Sequence, residues 1–336
     1  MLKNLLYIGN KLSKHGVTPT TIEILGPLLE QEGFRVRYSS SQKYQLSRLF
    51  SMLWSVFRYR KSEYVLIDTY STANFWYAFA TSQLCRVLKI KYIPILHGGN
   101  LTFRLNKNPK ICKMIFKYSF QNVSPSLFLF SKFKAEGYDN VIHIPNTIEM
   151  EKYPFLKRER VLPNLLWVRS FAKIYNPRMA VEVFAILKKK YPEATLCMVG
   201  PEKDGSLLHA KQLAENLAVE VFFTGKLSKQ EWIYTSKNYS IFINTTHFDN
   251  MPVSVIEAMS LGLAVVSTDV GGIPFLLENE KNSLLVPDGG VDKMVNAIVR
   301  LIEEPDLFAE ITTNARNKSK QYEWQEVKVK WLAILK

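Results

Sequence analysis

The chain is poor in the features that mark membrane-spanning, secreted, repetitive or cofactor-loaded proteins. Its longest apolar stretches, such as residues 64–67 and 263–266, are strand-sized and far below the ~20 residues of a membrane span. The first twelve residues hold only a four-residue apolar run before Gly9 and Asn10, too short for a secretory leader. Three isolated cysteines, Cys85, Cys112 and Cys197, make neither a disulfide framework nor a metal-spaced set. There is no repeat or low-complexity tract, no G-x-G-x-x-G after a strand, and no D-x-D. Solenoid, collagen and disordered classes are excluded, and a nicotinamide or flavin site is disfavoured. What remains is a 336-residue globular chain, 47% hydrophobic and 22% charged, long enough for two domains. It reads as cytosolic and reduced.

Acidic residues are scarce in one half only. Residues 1–160 carry 24 Lys and Arg against 10 Asp and Glu, whereas residues 161–336 carry 20 of each, so the whole net charge of +14 lies in the first half. Such asymmetry suits an anionic partner surface, membrane or nucleic acid, or a merely solubilising face. No nucleic-acid recognition motif accompanies the charge, which makes a nucleic-acid partner the weaker reading.

Strand-like and helix-like segments alternate. Residues 5–8 form an apolar strand, 20–31 have helical spacing with Gly33 as the stop, and a second strand falls near Val36. Strands follow at 64–67, 92–96, 122–124 and 141–144, with helices at 73–88 and from Ser126. A polar stretch at 149–163 reads as a linker. The pattern then restarts, with strands at 165–168, 195–199, 221–224, 240–244 and 264–267 and helices at 178–191, 207–217 and 252–261. Ser228-Lys229-Gln230-Glu231 has the form of a capping box. This alternation predicts two α/β domains with parallel sheets facing across a cleft, with ligands beyond the carboxyl ends of the strands.

The densest chemical signal is Phe248-Asp249-Asn250-Met251-Pro252-Val253-Ser254-Val255-Ile256-Glu257. Pro252 suits the first position of a helix, and the amides of Val253 and Ser254 would then point outward, where the helix dipole favours a phosphate. Asp249 before the helix and Glu257 inside it are placed to accept hydroxyl hydrogen bonds. Alternatively, Asp249 is a helix cap and Glu257 a solvated helix residue.

At these residues the chain resembles family 4 of the glycosyltransferases. An acid, seven residues and Glu257 are followed by Ala-Met-Ser-Leu-Gly-Leu-Ala-Val-Val-Ser-Thr-Asp-Val-Gly-Gly-Ile-Pro, and the likeness continues through Asn282–Pro287, Val199-Gly200 and Phe223-Thr224-Gly225-Lys226-Leu227. The resemblance implies the GT-B architecture: a first Rossmann-like domain over 1–155 for the acceptor, a nucleotide-sugar domain over 156–318, and a last helix over 319–336 returning to the first domain. It implies retaining transfer with no metal or other cofactor. Position by position, it makes Glu257 the ligand of the donor ribose and Asp249, standing where Glu is usual, the contact to the transferred sugar. His97, in Leu96-His97-Gly98-Gly99, becomes the histidine near that sugar. Arg169 is the first choice for the diphosphate, displaced by one from the family position, and Lys173 the second, because Tyr175 falls where a lysine is expected. Gly16, Gly200, Lys226, Leu227, Asn250, Met251, Pro252, Val253 and Ser254 complete the expected donor site; Gly271 and Gly272 read as turn residues.

Residues 46–59 and 104–117 each combine apolar and basic side chains at helical spacing and could lie on an anionic membrane, or their apolar faces could be core. The resulting expectation is a glycosyltransferase moving a sugar from a nucleotide donor, UDP-linked, to a lipid-linked or polysaccharide acceptor at the cytoplasmic membrane face. The alternatives are a catalytically degenerate sugar-nucleotide-binding subunit and a GT-B phosphorylase or isomerase.

Overall fold

Short runs rich in Val, Ile and Leu, bounded by Gly, Pro or Asn, become parallel strands, most of them buried on both faces, the condition under which apolar runs need not alternate. The computed structural model describes residues 3–15, 20–98 and 100–336. Its strands are β1 (Asn4–Ile8), β2 (Arg35–Ser39), β3 (Tyr64–Thr69), β4 (Lys91–Leu96), β5 (Asn122–Ser124) and β6 (Val141–His143), then β7 (Asn164–Val168), β8 (Thr195–Val199), β9 (Phe222–Gly225), β10 (Ile241–Asn244), β11 (Ala264–Thr268) and β12 (Leu284–Val286). They form two six-stranded sheets, ordered β2-β1-β3-β4-β5-β6 and β12-β11-β10-β7-β8-β9. Every strand pairing is parallel. Each sheet reverses its strand order once, between β1 and β3 in the first and between β7 and β10 in the second. At such reversals the loops leaving the two strands diverge and open a crevice for ligands.

The chain divides into two compact units, Met1–Thr147 with Lys328–Lys336, and Ile148–Val327. The last helix, Trp324–Leu335, therefore begins in the second unit and ends in the first. In the second unit, successive strand residues feed opposite cores. Leu165, Trp167, Leu196 and Met198 pack with the helix Pro177–Lys190, while Leu166, Cys197 and Val199 pack with the helix Val253–Ser260. No helix among the described residues is long and apolar enough to cross a membrane.

Three expectations change. The stretch 149–163 is no free linker: Met150 and Tyr153 are buried in the second unit's core, and Arg158 donates to the carbonyls of Ser236, Tyr239, Leu261 and Gly262. The stretch 104–117 is split into Leu101–Lys107 and Pro109–Phe116, because a residue before proline is pushed out of helical geometry. Its apolar members Ile115 and Phe116 are core, whereas Met114 remains exposed, so only part of its apolar side is free to meet a partner. In the helix Gln45–Arg58, Met52, Val56 and Arg48 face inward. Arg48 is tied to the carbonyls of Gln42 and Lys43 and to Asn10, so it is not one of the outward cations. Leu46, Phe50 and Trp54 form a separate outward stripe, 74%, 71% and 61% exposed.

Candidate functional site

In the second unit the loops leaving β7 and β10 lie at the reversal of strand order, and the backbone knits them together. Thr246 Oγ1 and the His247 N–H both donate to the Ile174 carbonyl, at 3.0 and 2.8 Å. Thr245 Oγ1 donates to the Asn176 carbonyl at 2.8 Å. This stitching brings Arg169, one residue past β7, onto Asp249, five past β10, as an ion pair. Gly200 makes room for Arg169: a Cβ at Gly200 would overlap the Arg169 carbonyl oxygen, and the Arg169 N–H bonds to the Val199 carbonyl at 3.0 Å. Burial pulls the Arg169 guanidinium below its ordinary range, while the Tyr175 and Glu257 side chains hold it up. The Tyr175 ring lies under that guanidinium, 4.4 Å from centroid to Cζ.

Gly271 and Gly272 do more than turn the chain. A Cβ on either would strike the backbone oxygen of Asp249 or Asn250, and the Gly272 N–H bonds to the Asp249 carbonyl at 2.8 Å. The diglycine thus braces the loop that carries the acid. Asp249 Oδ1 accepts from the Asn250 N–H at 2.8 Å and does not cap the following helix. The cap is Pro252, which stands one position before the expected one: the helix spans Val253–Ser260 and the Pro252 carbonyl receives the Val255 N–H at 3.1 Å. The Val253 and Ser254 amides still belong to the first turn, where no intrahelical acceptor exists. Ser254 Oγ is buried without a partner.

Glu257 is not a solvated helix residue. It is 2% exposed, accepts from the Tyr153 hydroxyl at 2.7 Å and is ion-paired with Lys229. Burial and Glu257 together push the Tyr153 phenol far up, so it stays a neutral donor. Ser228 and Glu231 form the expected capping box and open the helix Lys229–Ser236.

The other expected residues differ in their surroundings. Lys173 is exposed, and its backbone N–H bonds to Asp204 at 2.9 Å. Lys226 is exposed on the loop after β9, and Leu227 packs half-buried against the core together with buried Met251. Gly16 lies outside the described residues. His97 belongs to the first unit, where three strand ends meet. His97 Nε2 and Asp68 Oδ1 are 2.8 Å apart, the Tyr7 hydroxyl donates to the same oxygen at 3.1 Å, and the Tyr70 ring stacks on His97 at 4.8 Å. Asp68 Oδ2 is buried without a partner, and a Cβ on Gly9 would come within 2.5 Å of it. Sequence reasoning missed Asp68, Tyr153 and Lys229. An acid closing the apolar run Tyr-Val-Leu-Ile-Asp was a legible signal for Asp68, whereas no spacing linked Tyr153 or Lys229 to Glu257.

Residues 152–318 match the profile described as Glycosyl transferases group 1. The chain belongs to this family of GT-B glycosyltransferases. Its similarity to an uncharacterized glycosyltransferase of Haemophilus influenzae is 29% identity over 209 residues, 61% of this chain and 56% of that protein. With the UDP-Gal:alpha-D-GlcNAc-diphosphoundecaprenol alpha-1,3-galactosyltransferase of Escherichia coli, identity is 23% over 192 residues, 52% of this chain and 48% of that one. The matched part thus spans about half the length of these curated relatives. Among solved structures, HepE of Anabaena in complex with UDP superposes with a TM-score of 0.80 at 15% identity, covering 99% of both chains, which establishes the GT-B fold. In this family's terms, the matched stretch holds Arg169, Asp249 and Glu257 and leaves His97 to the unit outside it.

Proposed function

We propose that the protein is a retaining hexosyltransferase that takes a sugar from a UDP-linked donor and places it on a lipid-linked or polysaccharide acceptor. The observation that carries this reading is the convergence of Arg169, Asp249 and Glu257 beside the start of the helix Val253–Ser260, at the strand-order reversal of the second sheet. A guanidinium fork and two outward amides suit a diphosphate; flanking carboxylates suit sugar and ribose hydroxyls. The UDP held by HepE of Anabaena supports a uridine nucleotide, and the name of the Escherichia coli relative supports a lipid-linked acceptor.

In the proposed reaction the bond from the sugar C1 to the leaving phosphate oxygen breaks, while the acceptor oxygen bonds to C1 on the same face. The acceptor's proton passes to the departing diphosphate, whose charge Arg169 and the helix start stabilise. Asp249 bonds the transferred sugar and Glu257 the ribose. No metal is required in this scheme, so turnover should persist in excess EDTA; an absolute metal requirement would overturn that part. We further assign the basic first unit to the anionic inner face of a membrane, reached peripherally through the outward stripe of the helix Gln45–Arg58.

The deciding experiment is a thermal-shift and calorimetry panel of nucleotide sugars, since a bound donor stabilises by RT ln(1 + [L]/Kd). A shift with UDP-sugars followed by sugar transfer to a polyprenyl-diphosphate glycan is expected. No shift with any nucleotide would refute the reading.

A further inference from the structure

Glu257 raises a physical problem that its neighbours answer. A carboxylate only 2% exposed is costly to keep ionised unless charge and hydrogen bonds compensate it. Two donors do so, from segments far apart in the chain. Tyr153 follows the short turn Met150–Lys152 and is itself buried, and its hydroxyl donates to Glu257 Oε1 at 2.7 Å. Lys229 opens a helix whose start the Ser228–Glu231 box fixes, lies over the Trp232 ring at 5.8 Å, and places Nζ on the same Oε1. Both contacts fall on one oxygen of the carboxylate.

We propose that Tyr153 and Lys229 are positioning residues for Glu257, holding its carboxylate turned so that Oε2 receives the ribose 2′ and 3′ hydroxyls of the nucleotide donor. The inference rests on the donor reading above. The two residues differ in what they supply. Tyr153 is a neutral donor on a buried ring and fixes the carboxylate's rotation. Lys229, whose side chain is 54% exposed, brings the countercharge from the solvent side at little desolvation cost.

The test compares UDP with 2′,3′-dideoxy-UDP, which lacks both hydroxyls, by calorimetry on the full chain. Wild type should prefer UDP by about tenfold or more, the equivalent of one charge-assisted hydrogen bond. Tyr153→Phe and Lys229→Met should shrink that preference to about threefold or less by weakening UDP while leaving dideoxy-UDP unchanged, and Lys229→Arg should retain it. A wild-type preference that survives in both variants, with both nucleotides equally weakened, would overturn the proposal and leave the residues as supports of the fold. Lys229 is half in solvent, so Lys229→Met decides the matter even where Tyr153→Phe fails to fold. Wild type binding both nucleotides equally would overturn this inference alone; wild type binding neither would overturn the donor reading.

Discussion

Asp68 and His97 close adjacent strands of one sheet, and the 2.8 Å contact between Asp68 Oδ1 and His97 Nε2 sets that ring nitrogen against the carboxylate. With Nε2–H given to the carboxylate, a neutral His97 keeps its lone pair on Nδ1. The His97 N–H bonds to the Thr69 carbonyl at 2.8 Å, so the backbone holds the pair in register as well. Asp68→Asn keeps the shape but lets an amide N–H face Nε2 and favours the other tautomer. It should lower kcat on the order of 10-fold or more, the scale of a misdirected catalytic imidazole, with KM for the donor little changed. Tyr7→Phe removes only the second donor to Asp68 and should cost less. An unchanged kcat in Asp68→Asn would remove the pair from the chemistry.

Arg169 and Asp249 should prove interdependent. Arg169→Ala strands a largely buried carboxylate, which costs about 3–5 kcal/mol when an interior ion pair is broken. Arg169→Ala with Asp249→Ala should recover much of that loss, seen as a higher Tm for the double variant than for the single one. Turnover should fall about 10²-fold or more in Arg169→Ala, and far less in Lys173→Ala, whose side chain is exposed. The reverse order of effects would assign the diphosphate to the lysine.

Acid should loosen the first unit through His143. Burial, and then the Lys330 charge, lower its pKa from the ordinary 6.5 to about 4, against a raising bond to the Pro125 carbonyl. The folded state therefore binds the proton less readily than the unfolded chain. Stability is full above pH 6.5 and drains as pH falls toward 4, by about 1–2 kcal/mol once solvent screening is discounted. Urea midpoints at pH 7.5 and 4.5 should differ in wild type, and the difference should narrow in His143→Gln. An equal slope in both proteins would place the acid sensitivity elsewhere.

The outward stripe of the helix Gln45–Arg58 should bind vesicles. Attachment should rise with anionic lipid and fall with salt, which screens over ~8 Å at physiological strength. Phe50→Ser with Trp54→Ser should release the protein, as should Ser at Arg58, Arg60 and Lys61, while UDP binding persists because its proposed residues belong to the second unit. Equal attachment to neutral and anionic vesicles, or none to either, would favour a soluble acceptor.

The sequence by itself determined the alternation of strands and helices, since apolar runs of strand length between Gly, Pro and Asn admit little else. Segment 122–124 is observed where it was expected. It also singled out Asp249 and Glu257, because a proline-led helix start with acids on either side is a local pattern. Local pattern could not decide burial. Glu257 reads equally as a solvated helix residue, and only packing against Tyr153 and Lys229, 104 and 28 residues away in the chain, makes it a buried, paired carboxylate. Segment 104–117 has the same amphipathic spacing as 46–59, yet tertiary packing buries Ile115 and Phe116 and leaves Phe50 and Trp54 in solvent. Asp68 reaches His97 only because β3 and β4 are neighbours in parallel register, a pairing fixed by the sheet as a whole. Side-chain period and turn chemistry act over a few residues and are written in the chain; which faces meet depends on long-range packing, which no short window contains.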